Sequence, residues 1–275
     1  MPRSPWRGAV LGPLAAISLA AGAAWSPVSA QRADEGRRRA SENIDPRARQ
    51  VVERMGDYLG RQQAFSVTAD SITEVVLRNG LRLQHTATSD VSVRRPDGLR
   101  SERRGPSGSE ALLVYDGDEL TLFLSEPNVY AKADAPDSLD DAIEFARERL
   151  DIEAPGGDLL FSEAGESLME GVTSGMYVGE AQIAGTPCHH VAFRERDVDW
   201  QLWVQDGEEP LPLRYVIVSK RVRGEPEFMV QLSDWDVTTP VEPEQFAFAP
   251  PEGAREIRFA GLAERGRRAE RGGQE

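Results

Sequence analysis

The feature that most constrains the fold of this chain is a period-two alternation of apolar and polar residues in short segments from Phe65 onward. Successive side chains of a strand point to opposite faces of a sheet, so this alternation predicts strands with one face on a core and one on solvent. Several segments are separated by dipeptides that are typical of tight turns; these are Asn79-Gly80, Asp97-Gly98, Asp116-Gly117 and Asp206-Gly207. We therefore expect about nine to eleven strands joined mainly by short turns.

Three segments have helical periodicity instead. An Asp-Pro pair at residues 45–46 is a good helix start, and apolar residues at helical spacing continue to about Gln63. Ser138 followed three residues later by an aspartate resembles a capping box and begins a second helix. A third, short helix is expected over 158–169. Because a sheet of this size must curl, the predicted fold class is α+β: a strongly curved antiparallel sheet, or half-open barrel, wrapped around a few helices.

The first thirty residues have the three zones of a secretory signal peptide. Arg3 and Arg7 precede an apolar run over 8–24, and Val28 and Ala30 occupy the two positions that signal peptidase inspects. We expect cleavage after Ala30 and a location outside the cytoplasm. A retained anchor is the alternative, but the run is shorter than the span of about 20 apolar residues that a bilayer requires. We expect no stable transmembrane segment after cleavage.

The rest of the chain is expected to contain one domain between two disordered ends. Residues 31–43 and 261–275 are charged and have almost no large apolar side chains to bury, so we expect a disordered linker and a disordered tail. Residues 44–260 are predicted to form a single domain. The chain has one cysteine, Cys188, and without an internal disulfide the domain must be stabilised by its core.

The charge of the chain excludes one large class of partners. The formal net charge is −14, and removal of the two arginines of the signal peptide makes it −16. Such an acidic surface repels phosphate backbones, so nucleic acid is not expected as a partner. The overall charge also opposes adsorption to anionic lipid head groups.

Few residues point to catalysis or metal binding. The run Cys188-His189-His190 contains good transition-metal ligands. In a strand, however, Cys188 and His190 point to one face and His189 to the other, so at most two ligands converge. Cys188 and His190 are weak candidates only, and we expect no metal site and no cofactor. Nucleophile-elbow and phosphate-binding glycine motifs are absent from the sequence, so we predict no enzyme.

The aromatic and aliphatic residues of the strands suggest a ligand cavity. Trp200 and Trp203 should face opposite sides of the sheet, which places one of them in the interior. A half-open barrel with an apolar interior can hold a hydrophobic ligand; the alternative is that these side chains fill a packed core. The residues predicted to line the cavity are Leu81, Leu83, Leu120, Leu122, Trp200 and Leu202.

Seven short motifs, in order, carry a resemblance to a known family. They are DPRA (45–48), RP (95–96), YDG (115–117), NVYA (128–131), GTPCHH (185–190), DWQLW (199–203) and FAFAPPEGA (246–254). Together they resemble a bacterial family of predicted periplasmic proteins classed as a domain of unknown function, over about 44–259. That family is similar in fold to the periplasmic lipoprotein carriers, the outer-membrane lipoprotein receptor and a lipid-sensing regulator of envelope stress. The resemblance implies a curved antiparallel sheet closed over helices with a cavity for acyl chains, and it implies no established activity.

Three functions remain open at this point. The leading hypothesis is an exported, non-enzymatic periplasmic protein that binds a lipid, an acyl chain or a lipidated protein between sheet and helices. The second is an envelope regulatory or scaffold protein that contacts a protein partner. The third and least favoured is a hydrolase or metal-dependent enzyme without a recognisable motif. The sequence does not specify the ligand, the partner or the oligomeric state.

The signal peptide gives a direct prediction. Protein recovered from the periplasm should begin at Gln31 or within one or two residues of it, because Val28 and Ala30 place the cut after Ala30. N-terminal sequencing measures this. Membrane-bound protein that retains Met1 would contradict it.

Overall fold

The computed structural model describes residues 43–106, 108–152 and 154–259. The predicted signal peptide, its cleavage site, all but the last residue of the predicted linker and the predicted tail lie outside these residues. The helices are α1 (Pro46–Gly60), α2 (Leu139–Leu150) and α3 (Ala164–Met169), with 3-10 helices at Gly157–Leu160 and Pro243–Phe246. The strands are β1 (Ala64–Val76), β2 (Arg82–Arg94), β3 (Gly98–Arg104), β4 (Glu110–Tyr115), β5 (Glu119–Leu124), β6 (Val129–Asp134), β7 (Ser174–Ile183), β8 (Thr186–Arg194), β9 (Val198–Gln205), β10 (Pro212–Ser219), β11 (Glu227–Asp236) and β12 (Arg255–Glu256). None of the helices in the described part of the chain has the length and apolar character needed to cross a membrane.

All described strands belong to one curved, unclosed sheet. Their order is β12-β6-β5-β4-β3-β2-β1-β11-β10-β9-β8-β7, and every pair is antiparallel except β12 with β6. The predicted α+β class and antiparallel sheet are confirmed. The twelve described strands exceed the expected number because β12 is too short to produce any alternation.

Helix α1 begins and packs as its sequence predicts. The Asp45 carboxylate accepts a hydrogen bond from the Arg47 backbone N–H at 2.8 Å, and Pro46 occupies the first helical position. Val52, Met55 and Leu59 are fully buried and pack in one cluster with side chains of β8–β11. Burial of each such side chain contributes about 1.5–3 kcal/mol to folding, so this face holds α1 on the sheet.

Two glycines allow α1 to contact α3 at backbone distance. A Cβ atom at Gly56 would lie 2.4 Å from the backbone nitrogen of Gly165, and a Cβ at Gly165 would lie 3.1 Å from the Val52 carbonyl oxygen. Any larger side chain would force these two helices apart. The absence of Cβ atoms therefore sets how closely α3 approaches α1.

Helix α2 covers the other half of the sheet. The Ser138 hydroxyl accepts a hydrogen bond from the Asp141 backbone N–H at 3.2 Å and donates one to its carboxylate at 2.7 Å, which confirms the predicted helix start. Leu139, Ala142 and Ala146 are buried in a second apolar cluster that belongs to this half of the sheet. The core on the helix side of the sheet is thus divided into two clusters, one beneath each long helix.

Three local predictions need correction. The β1–β2 connection spans five residues, 77–81, because the Leu77 N–H donates to the Leu81 carbonyl oxygen and the Asn79 side chain accepts from the Leu81 N–H. The third predicted helix is interrupted at Phe161–Glu163, between a 3-10 helix and α3. The alternation of Phe246 and Phe248 before two prolines predicts a final edge strand, but Phe246 ends a 3-10 helix and Phe248 follows it outside any strand.

The segment after β11 covers the convex face of the sheet. Phe246 is buried and fills the space where a Cβ atom of Gly98 would lie, within 2.9 Å of that position. The Phe248 ring lies 6.1 Å from the Phe123 ring and 5.4 Å from the Tyr130 ring. Phe246 and Phe248 both face the sheet, so apolar residues alternate in this segment as they do in a strand, although it pairs with no strand of the described chain.

The glycine contact between α1 and α3 can be tested by overpacking. Gly56→Ala should lower the free energy of unfolding by about 1–3 kcal/mol, although alanine has the higher helix propensity. Chemical denaturation measures this. The exposed Gln50 of α1 provides the control, since Gln50→Ala should change stability by no more than about 0.5 kcal/mol; a stabilised Gly56→Ala protein would contradict the packing argument.

Candidate functional site

The concave face of the sheet is the face on which the helices pack, and α2 covers only part of this face over β1–β5. The register aligns Phe65, Val93, Leu99, Tyr115 and Leu120 across β1–β5. All five are buried in the cluster that includes α2. This row is closed to solvent, so it forms the floor of the concave face.

The next positions along the same strands are only partly covered. Leu113 and Leu122 are cross-strand partners, are half-buried, and pack against the edge of this cluster, as Ile143 and Leu150 of α2 also do. Leu124, two residues after Leu122 on β5, is also half-buried. We term the side chains of Leu113, Leu122, Leu124 and Arg103 the open concave surface. It is an aliphatic surface that the helices leave accessible.

Arg103 places a cation beside this aliphatic surface. The register puts Arg103 opposite Ala111, which is itself opposite Leu124. Its side chain is exposed to solvent, yet desolvation by the surrounding concave face lowers the pKa of its guanidinium. Within the described ranges no carboxylate forms an ion pair with Arg103. An arginine remains charged under these conditions, so the surface combines aliphatic area with an unneutralised positive charge.

The neighbouring arginine has a different environment. Arg104 points to the convex face, where its Nη2 atom lies 2.6 Å from an Asp90 carboxylate oxygen. This ion pair raises the pKa of Arg104, whereas the pKa of Arg103 is lowered. Strand alternation thus places the two adjacent arginines on opposite faces of the sheet. Arg104 forms an ion pair there, and Arg103 forms none within the described chain.

Two of the predicted cavity residues lie outside the enclosed interior. Leu81 is 54% exposed and Leu83 is 38% exposed. Leu83 does lie on the concave face, opposite Val75, but β1 and β2 extend beyond the helices, and no element of the described chain covers this face at their ends. Leu81 precedes β2 and belongs to the turn. Alternation identifies the face of a strand residue, but not whether another element covers that face.

The other four predicted residues divide between the two core clusters. Trp200 and Leu202 are buried in the cluster beneath α1, and Leu120 is buried in the cluster beneath α2. The Trp200 indole N–H donates to the Glu195 carboxylate at 2.9 Å. These three side chains fill the core in the structure, whereas Leu122 is half-buried on the open concave surface. That any of them contacts a ligand stays a prediction.

The Cys-His-His run does not bring three metal ligands together. Cys188 is buried on the convex side with Ile183 and Leu213, and this burial raises the pKa of its thiol. His190 stacks on Trp203 with ring centroids 3.9 Å apart. Burial lowers the pKa of His190, against the opposing effect of its hydrogen bond to Gln201. Across the described residues, no group of three or more His, Cys, Asp and Glu side chains could hold a metal ion.

His189 takes part in a hydrogen-bond chain that the sequence did not reveal. Its Nδ1 atom lies 2.9 Å from the Tyr177 hydroxyl, and its Nε2 atom lies 3.1 Å from an Asp206 carboxylate oxygen. The Arg47 guanidinium of α1 lies 4.6 Å from the centre of the Tyr177 ring. Strand alternation correctly separated His189 from His190, but the partners came from β7 and from the β9–β10 turn, which no local pattern indicates.

Comparison with known proteins gives a family and several solved structures of similar architecture. The model of a family described as "Predicted periplasmic protein (DUF2092)" matches residues 48–260. No curated protein matches the chain.

Three solved structures illustrate the similarity. Lipoprotein LppX of Mycobacterium tuberculosis is 16% identical, with 72% of this chain and 100% of that chain covered and a TM-score of 0.45. LprF of Mycobacterium bovis is 15% identical, with coverages of 77% and 99% and a TM-score of 0.46. A LolA superfamily protein of Nitrosomonas europaea is 13% identical, with coverages of 73% and 97% and a TM-score of 0.35.

The burial of Cys188 predicts low reactivity. A thiol-specific reagent should label the native protein slowly and the denatured protein rapidly, because the side chain is 1% exposed and its raised pKa leaves little thiolate at neutral pH. Mass spectrometry of timed samples measures this, with Cys188→Ala as the unlabelled control. Equal rates in native and denatured protein would contradict a buried, structural thiol.

Proposed function

Because the chain belongs to the family of predicted periplasmic proteins whose model covers residues 48–260, we propose that it is an exported, non-enzymatic protein that binds a lipid, an acyl chain or the lipid part of a lipoprotein. The observation that supports this proposal is the open concave surface, where Leu113, Leu122 and Leu124 are half-buried beside an arginine without an ion pair in the described chain. An amphiphile with an acyl chain and an acidic head group complements both properties. The acyl chain of this ligand lies along the three leucines, and its head group reaches Arg103.

Simple energetics make such binding feasible. Burial of one methylene group contributes about 0.8 kcal/mol, so about ten methylene groups contribute about 8 kcal/mol, which corresponds to micromolar affinity before the entropy cost of association. A guanidinium binds a carboxylate or a phosphate through two parallel hydrogen bonds. Arg103 therefore adds the affinity of a charged hydrogen bond to that of the aliphatic contacts.

A second candidate function is a scaffold that binds an envelope protein. Strand β7 lies at one end of the sheet, and beyond its contact with Asn43 and Asp45 its outer edge pairs with no other strand in the described part of the chain. Met176 and Val178 on this strand are 59% and 48% exposed. An extended peptide could add to this edge by backbone hydrogen bonds. The absence of lipid binding would favour this function.

A fluorescent fatty acid and its methyl ester test the lipid proposal. Leu122→Ala should weaken binding of both probes, because it removes aliphatic contact area and leaves a folded protein. Arg103→Gln should weaken binding of the free acid by about ten- to a hundredfold, since a hydrogen bond to a charged group contributes about 1.5–3 kcal/mol, and it should leave binding of the ester unchanged. Fluorescence titration measures both affinities.

The convex face provides matched controls for both substitutions. Leu112→Ala and Arg104→Gln change the same residue types on the opposite side of β3 and β4, where Leu112 pairs with Phe123 and Arg104 contacts Asp90. Both variants should bind the probes as the unmodified protein does. If the unmodified protein binds neither probe, lipid binding is rejected and the scaffold function takes its place.

A further inference from the structure

Two neighbouring turns form a single surface at the end of the β1–β2 hairpin. The Arg82 side chain donates to the Gly224 carbonyl oxygen at 2.8 Å, and the Arg223 side chain donates to the Arg78 carbonyl oxygen at 3.3 Å. Gly224 approaches Val76 so closely that a Cβ atom would lie 2.6 Å from its side chain. We term residues 75–84 and 219–224 the hairpin tip.

The hairpin tip carries most of the exposed large apolar side chains of the described structure. Leu81 is 54% exposed, Val222 44%, Leu83 38% and Val75 37%. The two others, Met176 and Val178, lie on β7. Exposed apolar residues that are grouped in this way indicate a contact surface, whereas isolated ones need no explanation.

The charge of the hairpin tip is opposite to that of the whole chain. The chain contains 46 acidic and 32 basic residues, yet the hairpin tip contains no acidic residue, and Glu225, which directly follows it, is the one acid of the two turns. Its basic residues are Arg78, Arg82, Lys220, Arg221 and Arg223. Three of them form ion pairs with carboxylates outside the tip, namely Glu74, Asp199 and Asp197. Within the described ranges, Arg78 and Arg223 form no ion pair.

From this combination we propose that the hairpin tip docks the protein onto a lipid bilayer that contains anionic head groups. Aliphatic side chains at a bilayer surface enter the boundary between head groups and acyl chains, while arginine stems lie along it and their guanidinium groups bind phosphate. The acidic remainder of the protein is repelled by the same surface, so the hairpin tip is the part that faces it. Net charge alone argued against such adsorption; the local distribution reverses that expectation at this one end.

The hairpin tip lies on the same face of the sheet as the open concave surface. Val75 and Leu83 are cross-strand partners on the concave face, and Thr73 with His85 is the next such pair towards the open concave surface. The pair after that, Ser71 and Ala87, is buried, so the hairpin tip and the open concave surface lie on the same face and are separated by one covered pair. The docking surface consists of different residues from the proposed ligand surface, so each can be tested without the other.

Flotation with lipid vesicles tests the proposal. The protein should float with vesicles that contain phosphatidylcholine and phosphatidylglycerol, and much less with phosphatidylcholine alone. Arg78→Gln combined with Arg223→Gln should lower the vesicle partition coefficient by about fivefold for each arginine. Leu81→Ser combined with Val222→Ser should lower it by about tenfold.

The edge strand β7 provides the matched control. Met176→Ser combined with Val178→Ser removes apolar residues of similar exposure and should leave flotation unchanged. All variants should bind the fluorescent fatty acid as the unmodified protein does, which separates this proposal from the ligand site. Absence of flotation, equal flotation with neutral vesicles, or an equal loss in the β7 variant would each overturn the proposal.

Discussion

Strand β1 joins the two halves of this protein, and both core clusters depend on that connection. It pairs with β2 along its whole length and with β11 along its other edge, so it links strands from opposite ends of the domain. Phe65 belongs to the cluster beneath α2, whereas Val67, two residues later, belongs to the cluster beneath α1. Because the only cysteine is free, no disulfide reinforces this junction. Its long-range pairing forms at a high cost in loop-closure entropy, which makes such sheets slow to fold.

The length of the same strand explains where the hairpin tip lies. Strands β1 and β2 each have thirteen residues, whereas β4 and β5 each have six. The longer pair extends beyond the short strands, and its first concave pair there, Ser71 with Ala87, is buried. The open concave surface lies at this boundary and the hairpin tip lies at the far end. The hairpin tip thus arises from a mismatch in strand length, and the buried pair Ser71 and Ala87 separates it from the open concave surface on the same face.

Much of the fold could be predicted because its signals are local. Alternation gave the faces of Leu120, Trp200 and Trp203, and the Asp45 and Ser138 caps gave the starts of two helices. The family was identified from short motifs, and the match over 48–260 confirms it. The exposure of Leu83 could not be predicted, because it depends on which elements distant in sequence cover the β1–β2 hairpin. Arg103 was missed for a related reason. It faces the same side as Leu99, four residues earlier in β3, but whether a carboxylate pairs with it depends on strands that are distant in sequence.

The two ends of the sheet have a consequence for the behaviour of many copies together. An open sheet presents rows of free backbone groups on which a second molecule can assemble. Here β12 occupies part of the β6 edge in a parallel pairing, while the register of β7 shifts between Tyr177 and Gly179 and the chain at Asn43 and Asp45 takes up hydrogen-bonding groups of Gly175. Each feature interrupts the row of free backbone groups at a sheet edge. Polymerisation by edge-to-edge strand pairing would require that row to be continuous. A concentrated solution of this protein can therefore stay dispersed without the full ring closure that protects a barrel.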